Sequence, residues 1–472
     1  MMVITNAAAA LPGEKDFRKV DIGIREGKIA WLRESDSSHE EAETIDARGM
    51  LVFPGAIDPH VHFDEPGFTH REDFLHGSAE AARGGVTTVV DMPCTSLPPV
   101  TSLHALEHKL SVVREKALVD YAFYGGIHGG IAPEKMREHV HALAERVVGF
   151  KCYFISGMDT FPAVDDAAFA AAIQACAEAG RPLLLHAEDP DVVEQAAKER
   201  QHLRGSSAPQ WVDYYATRPM EAEIAAVRRA VRLAGMHAKQ LHIVHVGTAE
   251  AAKVAVGRGA SCETCAHYLA FDEQDFVRYD AALKTAPPVK SPEQKALLWH
   301  MLQEGLIAFV ASDHAGAPDY EKFTGNPLTA YGGIPGTGTM FPYLLSEGLF
   351  ARRLTLARFL DVTSGAAARR YGIWQGKGSL APDKDADIVL VNPERTTWCT
   401  PSSMMSKSTI TPFAGMRLAG RIEGTFVRGK CVFAGQLLAA RLGGTKNATL
   451  TNDAGAILAR PGYGKFITWG YR

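Results

Sequence analysis

The alternation of apolar and polar positions along the chain predicts three regions. Residues 1–50 alternate with a period of two, and VDIGIREGKIAWL within them predicts two strands joined by a tight turn at Glu26 and Gly27. From residue 51 to about 315, short apolar runs rich in β-branched residues alternate with stretches rich in Ala, Glu and Arg. After residue 372 the period of two returns, with DADIVLVNP as one strand and GRIEGTFVRGKCVFAG as two strands around a turn.

The middle region carries eight apolar runs, the number of strands in a (β/α)8 barrel. They are MLVFPGAIDPHVHF (50–63), VTTVVDM (86–92), LVDYAFYGG (118–126), RVVGFKCYF (146–154), PLLLHAE (182–188), LHIVHVG (241–247), SCETCAH (261–267) and IAFVAS (307–312). The intervening stretches, such as DAAFAAAIQACAEAG and MEAEIAAVRRAVRLAG, indicate helices that end at Gly. We therefore predict an α/β protein with a (β/α)8 TIM-type catalytic barrel over residues 51–372. Residues 1–50 and 373–440 are predicted to form one small β-sandwich domain from both chain ends, and residues 441–472 a tail without an assigned role.

Composition and charge limit the partners and the location. With 472 residues, 46% hydrophobic and 22% charged, the chain has the composition of an ordinary globular protein. Its net charge of -4, without a dominant basic patch, argues against a nucleic-acid partner. No apolar run approaches the roughly 18 residues of a membrane span, and the first residues lack the pattern of a signal peptide. The seven scattered cysteines do not form a disulfide framework, so we expect a cytoplasmic protein without membrane contact.

Ionisable residues recur at the C-terminal ends of five of the predicted barrel strands. They are His60, His62, Lys151, His186, His245 and Asp313. Residues i and i+2 of a strand point the same way, so His60 and His62 share one side. One His-x-His pair also fits two ordinary polar histidines. However, the C-terminal ends of barrel strands meet at the active site, so placement on five strands favours a shared site.

Lys151 and the residues near the sixth and seventh strands allow more than one interpretation. A lysine in an apolar strand either reaches the rim or an acid, or is carboxylated by carbon dioxide and bridges two metal ions. His242 lies three residues before His245, so it should face the other way and be structural. The cysteines of CETC lack a second CxxC, which argues against a zinc or redox pair. His267 is a candidate substrate contact or support for one.

Motifs over about residues 48–435 resemble the metal-dependent amidohydrolase superfamily. Those that carry the resemblance are GAIDPHVHFDEPG, GGVTTVVDMP, GFKCYF, LLLHAED, IVHVGTAEA, CETCAHYL, KTAPPV, ASDHAGAP and GKGSLAPDKDADIVLVNP. Within the superfamily, the chain is similar to the cyclic-amide hydrolases, namely dihydroorotases, allantoinases and hydantoinases. The resemblance implies a small cyclic amide or ureide as substrate, and a homodimer or homotetramer.

The resemblance also implies a binuclear centre with two divalent ions per chain, usually zinc. His60, His62 and Asp313 would bind one ion, His186 and His245 the other, and carboxylated Lys151 both. Asp313 would be the catalytic residue, taking the proton of the attacking water and returning it to the leaving nitrogen.

Several positions favour an allantoinase-like substrate among the cyclic amides. Dihydroorotases usually carry Arg where Asp64 stands, and that Arg holds the substrate carboxylate. Two like charges about 4 Å apart cost on the order of 4 kcal/mol, so Asp64 disfavours dihydroorotate. Hydantoinases tend to carry Tyr where Ser156 stands, and KTAPPV, MPCTSLPPVT and FISGMDTFP are similar to allantoinase stretches. The expected substrate contacts are Asp64, Cys94, Ser156, His267, Ala286 and Gly333. A dihydroorotase, a hydantoinase or dihydropyrimidinase, and a non-catalytic scaffold on the same fold remain the alternatives.

Overall fold

A computed structural model describes residues 1–35 and 43–472, so residues 36–42 of the first predicted β region lie outside the described residues. The N-terminal part forms five strands: β1 Met2–Ala9, β2 Arg18–Arg25, β3 Lys28–Glu34, β4 Glu43–Asp46 and β5 Leu51–Pro54. The predicted hairpin is confirmed, because β2 pairs antiparallel with β3. Glu26 and Gly27 have φ angles of 53° and 81°, as a two-residue turn between twisted strands requires.

The middle region forms an eight-stranded parallel barrel in which the strands follow one another in chain order. These strands are β6 Ala56–Val61, β7 Val86–Asp91, β8 Asp120–Gly126, β9 Gly149–Tyr153, β10 Leu183–His186, β11 Leu241–Ile243, β12 Ser261–Cys265 and β13 Phe309–Ala311. Each overlaps one of the eight predicted runs, so the predicted barrel is confirmed. The barrel closes between its first and last strands, where the His62 amide donates to the His314 carbonyl at 2.7 Å.

Helices fill most of the connections between the barrel strands, and they cover the apolar outer face of the barrel. The α-helices of the described residues are Phe74–Arg83, Leu103–Val113, Met136–Leu143, Asp166–Glu178, Pro190–Arg204, Trp211–Ala216, Met220–Ala234, Ala249–Gly257, Ala266–Ala270, Phe276–Tyr279, Pro292–Gln303, Asp319–Lys322, Thr337–Tyr343, Leu356–Leu360, Ala366–Arg370 and Gln436–Arg441. Asp165 caps the helix that follows it by accepting from the Ala168 amide. Among the described residues, no helix is long and apolar enough to cross a membrane.

Both chain ends meet in one ten-stranded mixed sheet, which confirms the predicted β unit of composite origin. The C-terminal strands are β14 Ile388–Trp398, β15 Arg417–Val427, β16 Lys430–Gly435, β17 Leu450–Thr451 and β18 Gly455–Ile457. Strand β5 joins the two halves, because it pairs parallel with β1 and antiparallel with β14.

The division into two domains stays a prediction, but two of its boundaries need correction. The predicted barrel start at residue 51 is too early, because Leu51–Pro54 pairs within the mixed sheet and the barrel strand begins at Ala56. The predicted end of the β unit at residue 440 is also too early, because Gly455–Ile457 pairs with β16. Gly55 separates two strands that the sequence shows as one continuous apolar run.

The end of the C-terminal tail lies across the N-terminal end of the barrel, on the side opposite the histidines. The Tyr121 amide donates to the Lys465 carbonyl at 2.9 Å, and the Ile467 amide donates to the Tyr121 carbonyl at 2.8 Å. The Phe466 ring packs 5.4 Å from the ring of Phe123. The tail is therefore attached to the first half of β8.

A buried ionic cluster ties the barrel to the segment that leads into β14. Lys377 Nζ lies 2.5 Å from Asp120 and 2.8 Å from both Asp385 and Asp387, and Arg428 also contacts Asp120. The three carboxylates lie close enough together to hold a metal ion. Lys377 already supplies the positive charge that such a buried cluster needs, so we interpret it as structural.

Candidate active site

The six predicted ligands lie together at the C-terminal end of the barrel strands. His60 and Lys151 belong to β6 and β9, and His186 is the last residue of β10. His62, His245 and Asp313 follow β6, β11 and β13 directly or within two residues. Five of the six ligands are at most 9% exposed, and the exception is Asp313. The six are His60, His62, Lys151, His186, His245 and Asp313.

Three of these residues form one donor group. Asp313 Oδ1 lies 3.1 Å from His60 Nε2 and 3.4 Å from His62 Nε2. One ligand atom from each lies within 4.8 Å of the others, close enough to bind a single metal ion. Asp313 adopts a φ angle of 50°, which turns the chain at the end of the last barrel strand.

The other two histidines form a second pair beside the first. His186 Nδ1 and His245 Nε2 lie 3.0 Å apart, and the His245 ring lies 5.5 Å from that of His60. Burial lowers the pKa of His60 and His245 well below the usual value and also lowers that of His186. These imidazoles are therefore neutral near pH 7, which is the form that binds metal ions.

Lys151 supplies a buried amine beside both groups. The residue is 0% exposed, and its Nζ has no hydrogen-bond partner among the described residues. The Nζ atom lies 4.6 Å from the centre of the Tyr153 ring. Burial lowers its pKa to about 8, so a larger fraction of the amine is neutral at pH 7 than in an exposed lysine.

Acceptors behind three of the four histidines fix the directions of their rings. The Nδ1–H of His60 donates to Glu263 Oε1 at 2.7 Å, and the Nδ1–H of His62 donates to Thr95 Oγ1 at 3.2 Å. The Nε2–H of His186 donates to Glu188 Oε2 at 2.8 Å. Each bond leaves the other ring nitrogen pointing into the centre, which is the arrangement of histidines that bind metal.

The residues present fit a metal cofactor. Imidazole nitrogens and a carboxylate oxygen are the donors that zinc and similar divalent ions prefer. The two groups of donors lie side by side, with an unpartnered buried amine next to them. The donor set and the unsatisfied Lys151 Nζ together support a metal-dependent site.

A cavity of about 540 Å³ opens above the histidines and is large enough for a small-molecule substrate. Four of the expected substrate contacts line it, namely Cys94, Ser156, Ala286 and Gly333. Asp64 and His267 do not line this cavity and are buried behind its wall.

Burial shifts the pKa values of Asp64 and His267. Burial raises the pKa of Asp64 to about 7 and lowers the pKa of His267 to about 4. Asp64 forms no ion pair with Arg71, whose Nε lies 2.6 Å from Glu321 Oε2. His267 Nε2 has no hydrogen-bond partner among the described residues, so this nitrogen can still donate or accept a hydrogen bond.

The prediction that His242 faces away from the centre is wrong. His242 Nε2 lies 3.2 Å from Glu263 Oε2, the carboxylate that also holds His60. Strand β11 ends at Ile243, and His245 has a φ angle of 39°, so strand alternation does not relate His242 to His245. The interpretation of His242 as a structural residue remains a prediction.

Several residues of the site were not recognised from the sequence. They are Thr95, Tyr153, Glu188, Arg218 and Glu263. Two of them carried a usable signal, because Tyr153 is two residues after Lys151 and Glu188 two residues after His186. Glu263 lies between the cysteines of CETC, an acid in a buried strand that needs a partner.

The comparison with protein families matches residues 51–432 to the amidohydrolase family. The chain belongs to this family. The match covers every barrel strand, including the five strand ends that carry the donors.

Relatives of this amidohydrolase confirm its resemblance to the cyclic-amide branch. It is 38% identical to an allantoinase of Rubrobacter xylanophilus over 88% of this chain and 91% of the relative. It is 34% identical to an allantoinase of Solibacter usitatus, over 90% and 92% of the two chains. It is 31% identical to an allantoinase of Escherichia coli K12, over 92% and 95%.

Solved structures of the same branch share the whole fold of this amidohydrolase. The L-hydantoinase (dihydropyrimidinase) of Arthrobacter aurescens matches with a TM-score of 0.88 and 29% identity, covering 99% of both chains. A dihydropyrimidinase from Brevibacillus agri matches with a TM-score of 0.86 and 27% identity, covering 100% of this chain and 99% of that one.

Replacing Glu263 by Gln should weaken metal binding by about 10- to 100-fold, because the neutral amide oxygen holds the Nδ1–H of His60 less strongly than a carboxylate does. Metal affinity is measured by competition with a chelator. Glu250→Gln, at an exposed site on the helix Ala249–Gly257, is the matched control and should bind metal as the unchanged protein does. Equal affinities in the two variants would contradict the role of Glu263.

Proposed function

We propose that this chain is an allantoinase, which opens the ring of a neutral ureide by hydrolysing an amide C–N bond. The observation that carries the proposal is the donor set of four imidazoles, Asp313 and the unpartnered amine of Lys151 beneath a substrate-sized cavity. The relatives named allantoinase, at 31–38% identity over most of the chain, support the choice of ring.

We assign two divalent ions, zinc in each case, to this donor set. His60, His62 and Asp313 would hold one ion, His186 and His245 the other, and Lys151 carboxylated by carbon dioxide would contact both. When bound, such ions lower the pKa of water to about 7 and polarise a carbonyl oxygen. The carbamate on Lys151 would provide an anion in place of an uncompensated buried amine.

Asp313 is the proposed general base and acid. Burial works to raise its pKa, but His60 and the neighbouring histidines hold that pKa well below the usual value. The residue is therefore ionised and can accept a proton from the attacking water. It lines the cavity, so the same carboxyl can return the proton to the departing ring nitrogen.

The residue at position 64 favours a neutral ring. Dihydroorotases usually carry there the Arg that holds the substrate carboxylate, and this chain has Asp64, which is buried behind the cavity wall. An anionic ring would therefore lack that partner. The structural neighbours named hydantoinase and dihydropyrimidinase favour those activities as the second candidate. Ser156, which replaces the Tyr expected of hydantoinases, lines the cavity and weighs against that candidate. A scaffold without catalysis would not need to keep all six donors.

We further propose a homodimer or homotetramer in the cytoplasm. The seven cysteines form no disulfide in this structure, which agrees with a reducing compartment. The expected absence of nucleic-acid and membrane partners stays a prediction from the sequence.

A panel of cyclic amides tests the choice of substrate. Metal-loaded protein should open allantoin with the highest kcat/KM, open hydantoin more slowly, and leave dihydroorotate unchanged, because position 64 lacks the Arg that would hold its carboxylate. Products are identified by chromatography and mass spectrometry. Efficient opening of dihydroorotate without activity on the neutral rings would refute the proposal, and a preference for hydantoin or dihydropyrimidine would support the second candidate.

Replacing Asp313 by Asn should reduce kcat by at least about 10²- to 10⁴-fold on whichever ring is opened, since the amide cannot accept the proton. The fold, followed by circular dichroism, should be preserved. Asp319→Asn, at an exposed position in the helix Asp319–Lys322, is the matched control and should keep full activity. Activity of the Asp313 variant close to that of the control would rule out its assigned role.

Carboxylation of Lys151 should increase with pH, because the amine must be neutral to react. Only the neutral amine reacts with carbon dioxide, and burial lowers the pKa of Lys151 to about 8. In metal-free protein at constant dissolved carbon dioxide, isotope-labelled carbamate measured by NMR should rise as the pH increases through about 8. Lys151→Met should lose this signal and Lys253→Met should keep it. A rise only near the pH of about 10 typical of exposed lysines would contradict the assignment.

A further inference from the structure

A second, smaller cavity lies beside the one above the histidines. Its volume is about 240 Å³, and three of its lining residues, Tyr214, Arg218 and Leu328, also line the larger cavity. These three residues therefore form a common wall between the two cavities. Most of the remaining lining comes from the helices Pro190–Arg204 and Trp211–Ala216. We call this space the side cavity.

The side cavity carries an excess of positive charge. Three guanidinium groups, those of Arg200, Arg204 and Arg218, line it together with one carboxylate, that of Asp213. Asp213 forms an ion pair with Arg200, whose Nε lies 2.6 Å from Asp213 Oδ1. Arg204 contacts the Ser207 carbonyl and forms no ion pair among the described residues. The charge of Arg204 also acts on Asp213, but the direct ion pair of that carboxylate is with Arg200.

Arg218 connects the side cavity to the proposed metal centre. One of its terminal nitrogens donates to Glu188, the carboxylate that accepts from His186 Nε2 at 2.8 Å. The side chain is 22% exposed and lines both cavities, so its other N–H groups are available to a ligand. An anion leaving the histidines toward the side cavity would pass this guanidinium first.

We propose that the side cavity is an anion site for the carboxylate end of the ring-opened product. This inference rests on the proposed function. In ring opening, the oxygen of water bonds to the carbonyl carbon, the C–N bond breaks, and the leaving nitrogen takes a proton. The new carboxylic acid then loses a proton near neutral pH. The product carries one negative charge that the neutral ring lacks, so a basic site distinguishes the two.

The size of the side cavity agrees with this assignment. Pockets that enclose a whole small ligand usually measure about 300–1,000 Å³, and the side cavity is smaller. It suits one end of a molecule whose other end remains in the larger cavity. Arg204 and Arg218 offer charge-assisted hydrogen bonds to a carboxylate, which are stronger than neutral ones.

The test compares an anionic and a neutral form of one product. Binding of N-carbamoylglycine, the ring-opened product of hydantoin, and of its uncharged amide is measured by calorimetry on the metal-loaded full chain. Arg204→Gln should weaken binding of the anion about tenfold and leave the uncharged amide unaffected. Arg204→Lys, which keeps the charge, should retain most of the affinity. Arg258→Gln is the control, since Arg258 is exposed and lines neither cavity.

Two outcomes would overturn the inference. Equal affinity for the anion in Arg204→Gln and the unchanged protein would show that Arg204 does not bind it. An equal loss for the anion and the uncharged amide would show that the shape of the cavity matters and its charge does not. Ring-opening activity, measured on the same preparations, separates this inference from the proposed function. Turnover with unaltered anion binding rejects the side cavity alone, whereas no turnover of any ring rejects the function.

Discussion

The buried amine of Lys151 is the constraint on which the rest of the site depends. An ammonium without a hydrogen-bond acceptor costs several kcal/mol inside a protein, and neutralising it by a shifted pKa recovers only part of that cost. Burial likewise holds the pKa values of His60 and His245 well below the usual value, so both imidazoles are neutral. Under the proposed function, a carbamate on Lys151 and two cations satisfy these groups together.

The fold separates the reactive end of the barrel from the end that provides stability. At the N-terminal end of the strands, the C-terminal tail and the buried cluster around Lys377 bind to the start of β8. At the C-terminal end, the chain turns sharply just after the strands, with positive φ angles at His245 and Asp313. Glu188 and Glu263, which lie behind His186 and His60, then orient these two rings. Donor positions are therefore set by the barrel backbone, and ring directions by the acceptors behind them.

Much of this arrangement could be predicted from the sequence, because its strongest signals are local. Parallel barrel strands are buried on both faces, so each appears as a short apolar run, and the ionisable residue at its end is visible beside it. Contacts between segments that are distant in the sequence leave no local signal. The strand boundary at Gly55 lies inside a continuous apolar run and is not visible there. Leu51–Pro54 pairs with β14, whose residues lie more than three hundred positions away. Glu263 was missed for the same reason, since its partners His60 and His242 lie on other strands.

A crystal structure of the protein loaded with zinc and bicarbonate, with anomalous scattering recorded at the zinc edge, would locate the ions and show the state of Lys151. We expect two anomalous peaks among the four histidines and Asp313, with electron density that extends from Lys151 Nζ to both. An unmodified Lys151 remote from the peaks, or no peaks among these side chains, would contradict this expectation.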